Sequence, residues 1–366
     1  MSKARGLADL GNVYSDGALS NRNLIINGAM QVAQRGTSFT GLTNDTPKYT
    51  LDRWKFSEGG APTGVLTITQ DTDVPAGFGS SLKVDCTTAN ATMAGGALLK
   101  LAYRIEGQDL QQLGYGGAGA QQTTISFWVK SNKTGTYAIM VFQPDDNRQE
   151  QVQYTIDVAD TWEKKTGIIT ADTTGVIDND TGAGLVLTFA LGAGTAWREG
   201  TAPTAWKSYL KADAFAGQTV NLSDNTANYF NVTGVQLEVG DTSTPFEHRS
   251  YAQEMALCQR YYEVDNPNTP TSFGGNITAQ AYHVTNGAGN PLNRDGPFQP
   301  YKVDKRASAT VTTYAYNGTT GAASPITNAG TDTNVQIKAG TSGFQLSSST
   351  YRALHVWFAW AADAEL

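Results

Sequence analysis

The sequence predicts an all-β protein: a β-sandwich followed by a short connector helix and a second, smaller β domain. Three observations carry that expectation. Only 16% of the residues are charged and Gly supplies 39 of 366, which suits short strands joined by tight turns that need positive φ. Runs rich in Glu, Lys, Leu and Arg, the usual material of long helices, are almost absent. Apolar runs rich in β-branched and aromatic residues recur between turn clusters along the whole chain.

Residues 1–22 are polar and Gly-spaced. Such a segment buries too little to order alone, so it reads as an arm that is disordered or orders on a partner. Residues 23–248 hold the strand runs GVLTITQ (64–70), SLKVDC (81–86), TTISFWVKS (123–131), TYAIMVF (136–142), VQYTIDV (152–158), LVLTFAL (185–191) and VTGVQLEV (232–239). Ile125, Phe127 and Val129 share a face, as do Leu185, Leu187 and Phe189, and Val235, Leu237 and Val239. One core face per strand is the mark of two packed antiparallel sheets. TYAIMVF is apolar on both faces and is placed centrally.

The helix is SYAQEMALCQRYY (250–262), within a connector over 249–263. Ser250 and Gln253 have capping-box spacing. Tyr251, Met255, Cys258 and Tyr262 form an apolar stripe at i, i+4, i+7 and i+11, a candidate oligomer interface or a cover for the sandwich edge. Residues 264–366 form the second β region, with strand candidates at 276–284, 308–316, 334–340, 343–348 and 351–362. In the last of these Leu354, Val356, Phe358 and Trp360 share a face, with His355 and Trp357 on the other.

The net charge of -7 and the absence of a basic stripe argue against nucleic acid as a partner. Cys86 and Cys258 lie far apart in unlike contexts; no disulfide framework or zinc spacing follows from them, and they read as buried thiols. No run approaches the roughly 18 to 20 apolar residues of a membrane helix, and the first residues lack an apolar signal segment. The expectation is synthesis in a host cytoplasm, no membrane insertion, and a working location on a particle released by lysis.

NLIINGAM (23–30), DRW (52–54), TTISFWVKS (123–131), DTWEKKTGIIT (160–170) and FNVTGVQLEVG (230–240) together resemble the ordered motifs of carbohydrate-binding-module-like jelly rolls. That resemblance implies a jelly roll over 23–248, with the opening segment as first strand and Trp54 and Trp162 in structural roles. Ala29 and Met30 stand where enzyme-borne modules often carry an acidic residue and an aromatic, so no calcium site is carried over. VQLEVGDTSTPFEHRSYAQEMALCQRYYE (235–263), KRASATVTTY (305–314) and the closing AADAEL (361–366) are similar to segments of tailed-phage virion proteins, tail fibres among them. This implies a virion structural protein, docked to other virion proteins through residues 1–22 and most simply a homotrimer. Capsid decoration or a head fibre is the alternative.

Asp145 with Asp146, and Asp178 with Asp180, sit in turn-like contexts where Asp is favoured for backbone hydrogen bonds. Two carboxyls across a glycosidic bond, as a glycan hydrolase needs, are not reported by sequence neighbours. DNDTG (178–182) lacks the other ligands of a calcium loop. His248, His283 and His355 stand singly, and the Gly-rich 113–120 precedes a strand rather than a helix. The expectation is no enzyme and no cofactor, with any metal unknown. For glycan binding, Trp197, Trp206 and Tyr209 in TAWREGTAPTAWKSYL (195–210) offer ring faces beside Arg198, Glu199 and Lys207. The competing reading of that stretch is a loop clamped by its own aromatics. Trp128 points away from its strand's core face and fits either role.

Overall fold

The computed structural model describes residues 21–43, 48–60, 64–265, 281–283, 294–314, 324–325, 335–348, 355–357 and 359–366. Contacts divide the chain into two compact units, one reaching Ala33 and resuming over Thr37–Ser250, the other joining Gln34–Gly36 to Tyr251–Leu366. Most of the expected arm, residues 1–20, lies outside the described residues.

The first unit is a jelly-roll β-sandwich of two antiparallel sheets. The six-stranded sheet runs β1 (Ser38–Leu42), β4 (Val65–Asp71), β5 (Ser81–Thr88), β13 (Tyr229–Val239), β7 (Thr123–Ser131), β10 (Glu163–Ile169). The seven-stranded sheet runs β12 (Lys207–Ser208), β9 (Arg148–Ile156), β8 (Gly135–Gln143), β11 (Ala183–Ala193), β6 (Leu98–Glu106), β3 (Lys55–Gly59), β2 (Lys48–Tyr49). As the double-sided apolarity of TYAIMVF implies, β8 lies inside its sheet between β9 and β11. Alternation sends Ile125, Phe127 and Val129 of β7 and Leu185, Leu187 and Phe189 of β11 into one core. Val235 and Leu237 join them, but Val239, at the end of β13, is exposed.

A line of aromatic contacts crosses that core. Trp54 meets Tyr103 at 5.2 Å and Phe189 at 5.9 Å; Phe127 meets Phe189 at 5.4 Å and Tyr154 at 5.0 Å. Tyr137 stacks on Tyr154 at 5.4 Å and tilts against Phe230 at 5.8 Å. Such pairs add about 1 kcal/mol each beyond the area they bury.

The opening NLIINGAM is not a strand. Leu24 N donates to Leu237 O and Val235 N to Gly28 O, so the segment leans on β13, but Asn27 and Met30 have φ of 58° and 57°. Left-handed residues interrupt an extended ladder. Asn27 turns that kink into a clamp: its Nδ2 donates to Val32 O and Asp52 O, both at 2.9 Å, and its Oδ1 accepts from Val32 N at 2.9 Å. Trp54 Nε1 donates to Asn27 O at 3.2 Å. Beside it, a Cβ on Gly28 would stand 2.1 Å from Val235 O, so only glycine fits against β13 there.

The second unit begins with the helix Tyr251–Gln259, shorter than the expected 250–262, because Tyr262 is taken into β14 (Tyr262–Val264). There it pairs with Asp363 of β22 (Ala359–Asp363), which also pairs with β17 (Thr310–Tyr314). Two further three-stranded sheets join β15 (Ala281–His283), β21 (His355–Trp357) and β18 (Ser324–Pro325), and β16 (Arg294–Pro300), β20 (Gly343–Ser348) and β19 (Val335–Ala339). The expected face of Leu354, Val356 and Phe358 lies outside the described side chains. Trp360 is buried against Phe344 at 5.2 Å and Tyr301 at 5.7 Å. Glu263 and Lys305 form an ion pair at 2.7 Å with both side chains essentially out of solvent. Lys302 N also donates to the Glu263 carboxylate and Lys305 Nζ to Val303 O. Arg306 Nε donates to Ala364 O at 2.6 Å.

Two outcomes test this reading. Gly28→Ala lowers stability by about 2 kcal/mol through overpacking, read as a lower urea midpoint for the sandwich; an unchanged midpoint contradicts the close approach. Glu263→Gln strands a buried ammonium, at about 3–5 kcal/mol, and amide exchange protection over Val311–Thr313 collapses. Unaltered protection would show that the pair is not structural.

Candidate functional site

The outer face of the seven-stranded sheet carries a concavity. Because successive side chains point to opposite faces, Leu99, Leu101, Tyr103 and Ile105 of β6 enter the core, while Lys100, Ala102 and Arg104 face outward. Register places Lys55 opposite Ala102 and Ser57 opposite Lys100 on one side, and Thr188 opposite Ala102 and Val186 opposite Arg104 on the other. Met140 and Phe142 of β8 continue the row beside Thr188 and Val186. These side chains floor a groove of ≈ 520 Å³ whose wall includes Trp197 and Tyr209.

The wall is made by the segment that leaves β11. At Gly194 a Cβ would meet Ala94 O at 2.1 Å, so the chain turns tightly there into the short helix Thr195–Arg198. Trp197 Nε1 donates to Gly96 O at 2.9 Å, which fixes the indole, and Lys211 Nζ lies 4.4 Å from its ring centroid. Tyr209 is held by its N–H on Asn147 O and by an edge contact with Phe142 at 5.4 Å. Both rings are half-buried and pack with Phe215, Ala138 and Met140 in a small cluster outside the main core. Burial pushes the Tyr209 phenol up.

Trp206 does not join them. Its Nε1 donates to Thr170 O at 2.7 Å, its ring meets Tyr115 at 5.6 Å, and it packs against the main core. Arg148, bidentate to buried Asp172 at 2.6 and 3.0 Å, also donates to Trp206 O. Of the flanking charges, Lys207 pairs with Asp213 at 2.6 Å and Arg198 donates to Gln218 O. Within the stretch 195–210, Trp206 clamps the loop on the main core, while Trp197 and Tyr209 line the groove.

Lys55, Lys100 and Arg104 were not singled out in the sequence. The signal was present in LLKLAYRIE (98–106), where Lys100 and Arg104 alternate with four core residues, but its apolar content conceals the period. Burial holds the Lys100 ammonium below the ordinary lysine value, and the charges of Arg104 and Lys55 push the same way.

The acid pairs serve their loops. Asp145 accepts from Asp178 N at 3.0 Å, Asp146 from Val176 N at 2.7 Å, and Asp180 from Gly182 N at 2.7 Å. Burial raises the Asp145 carboxyl above its usual range, and Asp178, Asp180 and Asp146 add to the rise. Among the described residues no group of three or more His, Cys, Asp or Glu is placed to hold a metal. His248 forms a ring triad with Phe78 at 5.3 Å and Phe246 at 4.9 Å, themselves 5.1 Å apart. Trp162 is half-buried and donates from Nε1 to Asp73, whose carboxyl the Lys130 bond holds down. Trp128, also half-buried, lies beside Gly234 under Phe78 on the other sheet. Cys86 and Cys258 are buried and in no disulfide.

Of the helix stripe, Tyr251 is exposed, Met255 is half-buried, and Cys258 and Tyr262 are buried within their own unit. Tyr262 lies under the Arg35 guanidinium, 3.5 Å from its ring centroid.

No family model matches the chain, and no curated protein matches it significantly. Solved structures similar to it include the enzymatically active domain of tailspike protein 4 of bacteriophage CBA120, at 12% identity and a TM-score of 0.29, over 52% of this chain and 20% of that one. The chain thus spans a fifth of that structure. They also include the family 11 carbohydrate-binding module of Clostridium thermocellum cellulase Lic26A-Cel5E, at 10% identity and a TM-score of 0.29, over 56% of this chain and 96% of the module. A third is the module TmCBM61 in complex with β-1,4-galactotriose, at 7% identity and a TM-score of 0.28, over 60% of this chain and 100% of the module.

Trp206→Phe keeps an aromatic ring, though a smaller one, and deletes the bond to Thr170 O, at about 1 kcal/mol, seen as a lower melting temperature. Trp197→Phe deletes an equivalent bond to Gly96 O. Equal stability of Trp206→Phe and the parent would show that the clamp does not hold the loop.

Proposed function

We propose that this protein is a structural, non-enzymatic component of a tailed-phage particle, a tail fibre or fibre-like appendage, whose sandwich binds a glycan of the host surface. The observation that carries the binding is the pair Trp197 and Tyr209, half-buried rings fixed by their own contacts beside Ser57, Lys100, Arg104 and Thr188 in one groove. Fixed aromatic faces with a few convergent polar groups are what a saccharide site requires. That Asp145, Asp146 and Asp180 serve as acceptors for loop N–H groups supports binding without cleavage.

The particle assignment is supported by the resemblance of 235–263, 305–314 and 361–366 to virion proteins. On this reading residues 1–22 dock to other virion proteins, and the chain works on the virion after assembly in the host cytoplasm. Tyr251 and Met255, the members of the helix stripe that keep surface, face a neighbouring copy in a trimer.

Trp197→Ala and Tyr209→Ala each weaken glycan binding about tenfold or more, which is about 1.4 kcal/mol, while Trp206→Phe leaves it unchanged. A glycan array followed by titration reads this; full binding by the double variant removes the groove from the account. Light scattering on a sizing column gives a trimer, and a monomer would contradict the oligomer. Particles made with residues 1–22 deleted lack the protein; normal incorporation refutes the arm.

A further inference from the structure

The groove wall hangs from one row of glutamines. In β9 the core takes Val152, Tyr154 and Ile156, so alternation turns Gln149, Gln151 and Gln153 to the outer face. There they stand opposite Phe142, Met140 and Ala138 of β8. Each donates its side-chain amide to the segment that follows Tyr209. Gln149 Nε2 reaches Leu210 O at 3.0 Å, Gln151 Nε2 reaches Ala216 O at 2.9 Å, and Gln153 Nε2 reaches the same oxygen at 2.6 Å. Gln149 and Gln151 are buried, whereas Gln153 is exposed. Two separate routes lead from this row to the two rings. Leu210 directly follows Tyr209, so Gln149 fixes the backbone beside that phenol. Ala216 directly follows Phe215, whose N–H donates to Trp197 O at 2.9 Å and whose ring lies 6.2 Å from the indole. Gly217 N donates to Arg198 O and Arg198 Nη1 to Gln218 O, which ties the end of the short helix to the same strap.

We propose that Gln149 and Gln151 are positioning residues for the groove, Gln149 setting Tyr209 and Gln151 setting Trp197, so that alternate residues of one strand hold the two rings independently. This rests on the groove being a glycan site. Phe215 packs with Ala138 and Met140, but apolar contact is non-directional and lets a strap slide. The amide bonds are directional and stop it. Alternate strand residues lie about 7 Å apart, a spacing the strand itself keeps constant. Position matters because a gap of about 0.5–1 Å forfeits a quarter to a half of a van der Waals contact. The row is also separable from stability. Leu210 O accepts a second bond, from Asp213 N at 3.0 Å, and Ala216 O keeps Gln153. Gln149 Oε1 and Gln151 Oε1 are buried with no partner among the described residues. Methionine in place of either glutamine therefore orphans no carbonyl and removes an unpaired acceptor.

The test reads ring position and sugar affinity in the same variants of the full chain. Fluorine NMR after labelling with fluorotryptophan or fluorotyrosine follows the rings with no sugar present, the signals being assigned by Trp197→Phe, Trp206→Phe and Tyr209→Phe. Gln151→Met shifts the Trp197 signal and leaves those of Trp206 and Tyr209 in place. Gln149→Met shifts Tyr209 and leaves Trp197. Circular dichroism and melting temperature stay those of the parent. The sugar that binds the parent best on an array of bacterial surface glycans is then titrated, and each variant binds it about fivefold or more weakly. Unmoved ring signals overturn the positioning roles, as does parent-like affinity in a variant whose ring has moved. A shift at Tyr209 in Gln151→Met overturns the independence of the two rings. Loss of fold in both variants assigns the row to stability alone and overturns the proposal as well. If the rings move as stated and no array sugar binds the parent, the positioning stands and the glycan reading falls.

Discussion

The sandwich depends on the clamp between Asn27 and Trp54. A fully buried amide ties three stretches of backbone, at Asn27, Val32 and Asp52, and the Trp54 indole closes the set on Asn27 O. Trp54 also starts the aromatic line that crosses the core to Phe230. Buried polar groups are tolerable only when satisfied, so this network permits one arrangement of the opening segment. That arrangement seats Gly28 on β13 and sets Tyr103, whose hydroxyl accepts from Ile26 N at 2.6 Å. Tyr103 sits on the inner face of β6, and its neighbours Ala102 and Arg104 sit on the outer one. The clamp and the groove are thus two faces of a single strand.

Much of this was legible in the sequence, and what was not has physical reasons. Strands 123–131 and 343–348 coincide with β7 and β20, because each alternates cleanly and is bounded by turn residues. β6 is harder to read because Lys100 and Arg104 interrupt its apolar run while Leu98 and Ala102 blur the alternation that would have placed them on one face. The helix ran too long on paper because Tyr262 fits the 3.6-residue stripe, while a free backbone edge at β22 offers it a ladder instead. Trp197, Trp206 and Tyr209 could be proposed together from one stretch of chain. Only the fold separates them, since the partners that decide, Gly96, Thr170 and Phe142, come from elsewhere. The same holds for Lys55, Lys100 and Arg104, which look scattered in sequence and converge through strand register.

The second unit explains motifs that were legible only as family markers. Lys305 of KRASATVTTY pairs with Glu263, Arg306 holds the carbonyl of Ala364, and Ala364 N donates to Tyr261 O. Tyr261, Glu263, Lys305, Arg306 and Ala364, drawn from these segments, therefore join in one polar knot within the second unit. A buried pair of this kind adds little net stability over an apolar alternative, but losing one partner is expensive. Such a knot holds residue types fixed for structural reasons alone.

On this account the sandwich is a scaffold whose two faces have different work: one closes a core, and the other holds fixed rings and clustered cations. The most direct measurement is a crystal structure of the chain with a bound oligosaccharide of the host surface. The account predicts sugar density in the groove over Ala102, with a ring against Trp197 or Tyr209. Density at any other surface, with this groove left to solvent, would contradict it.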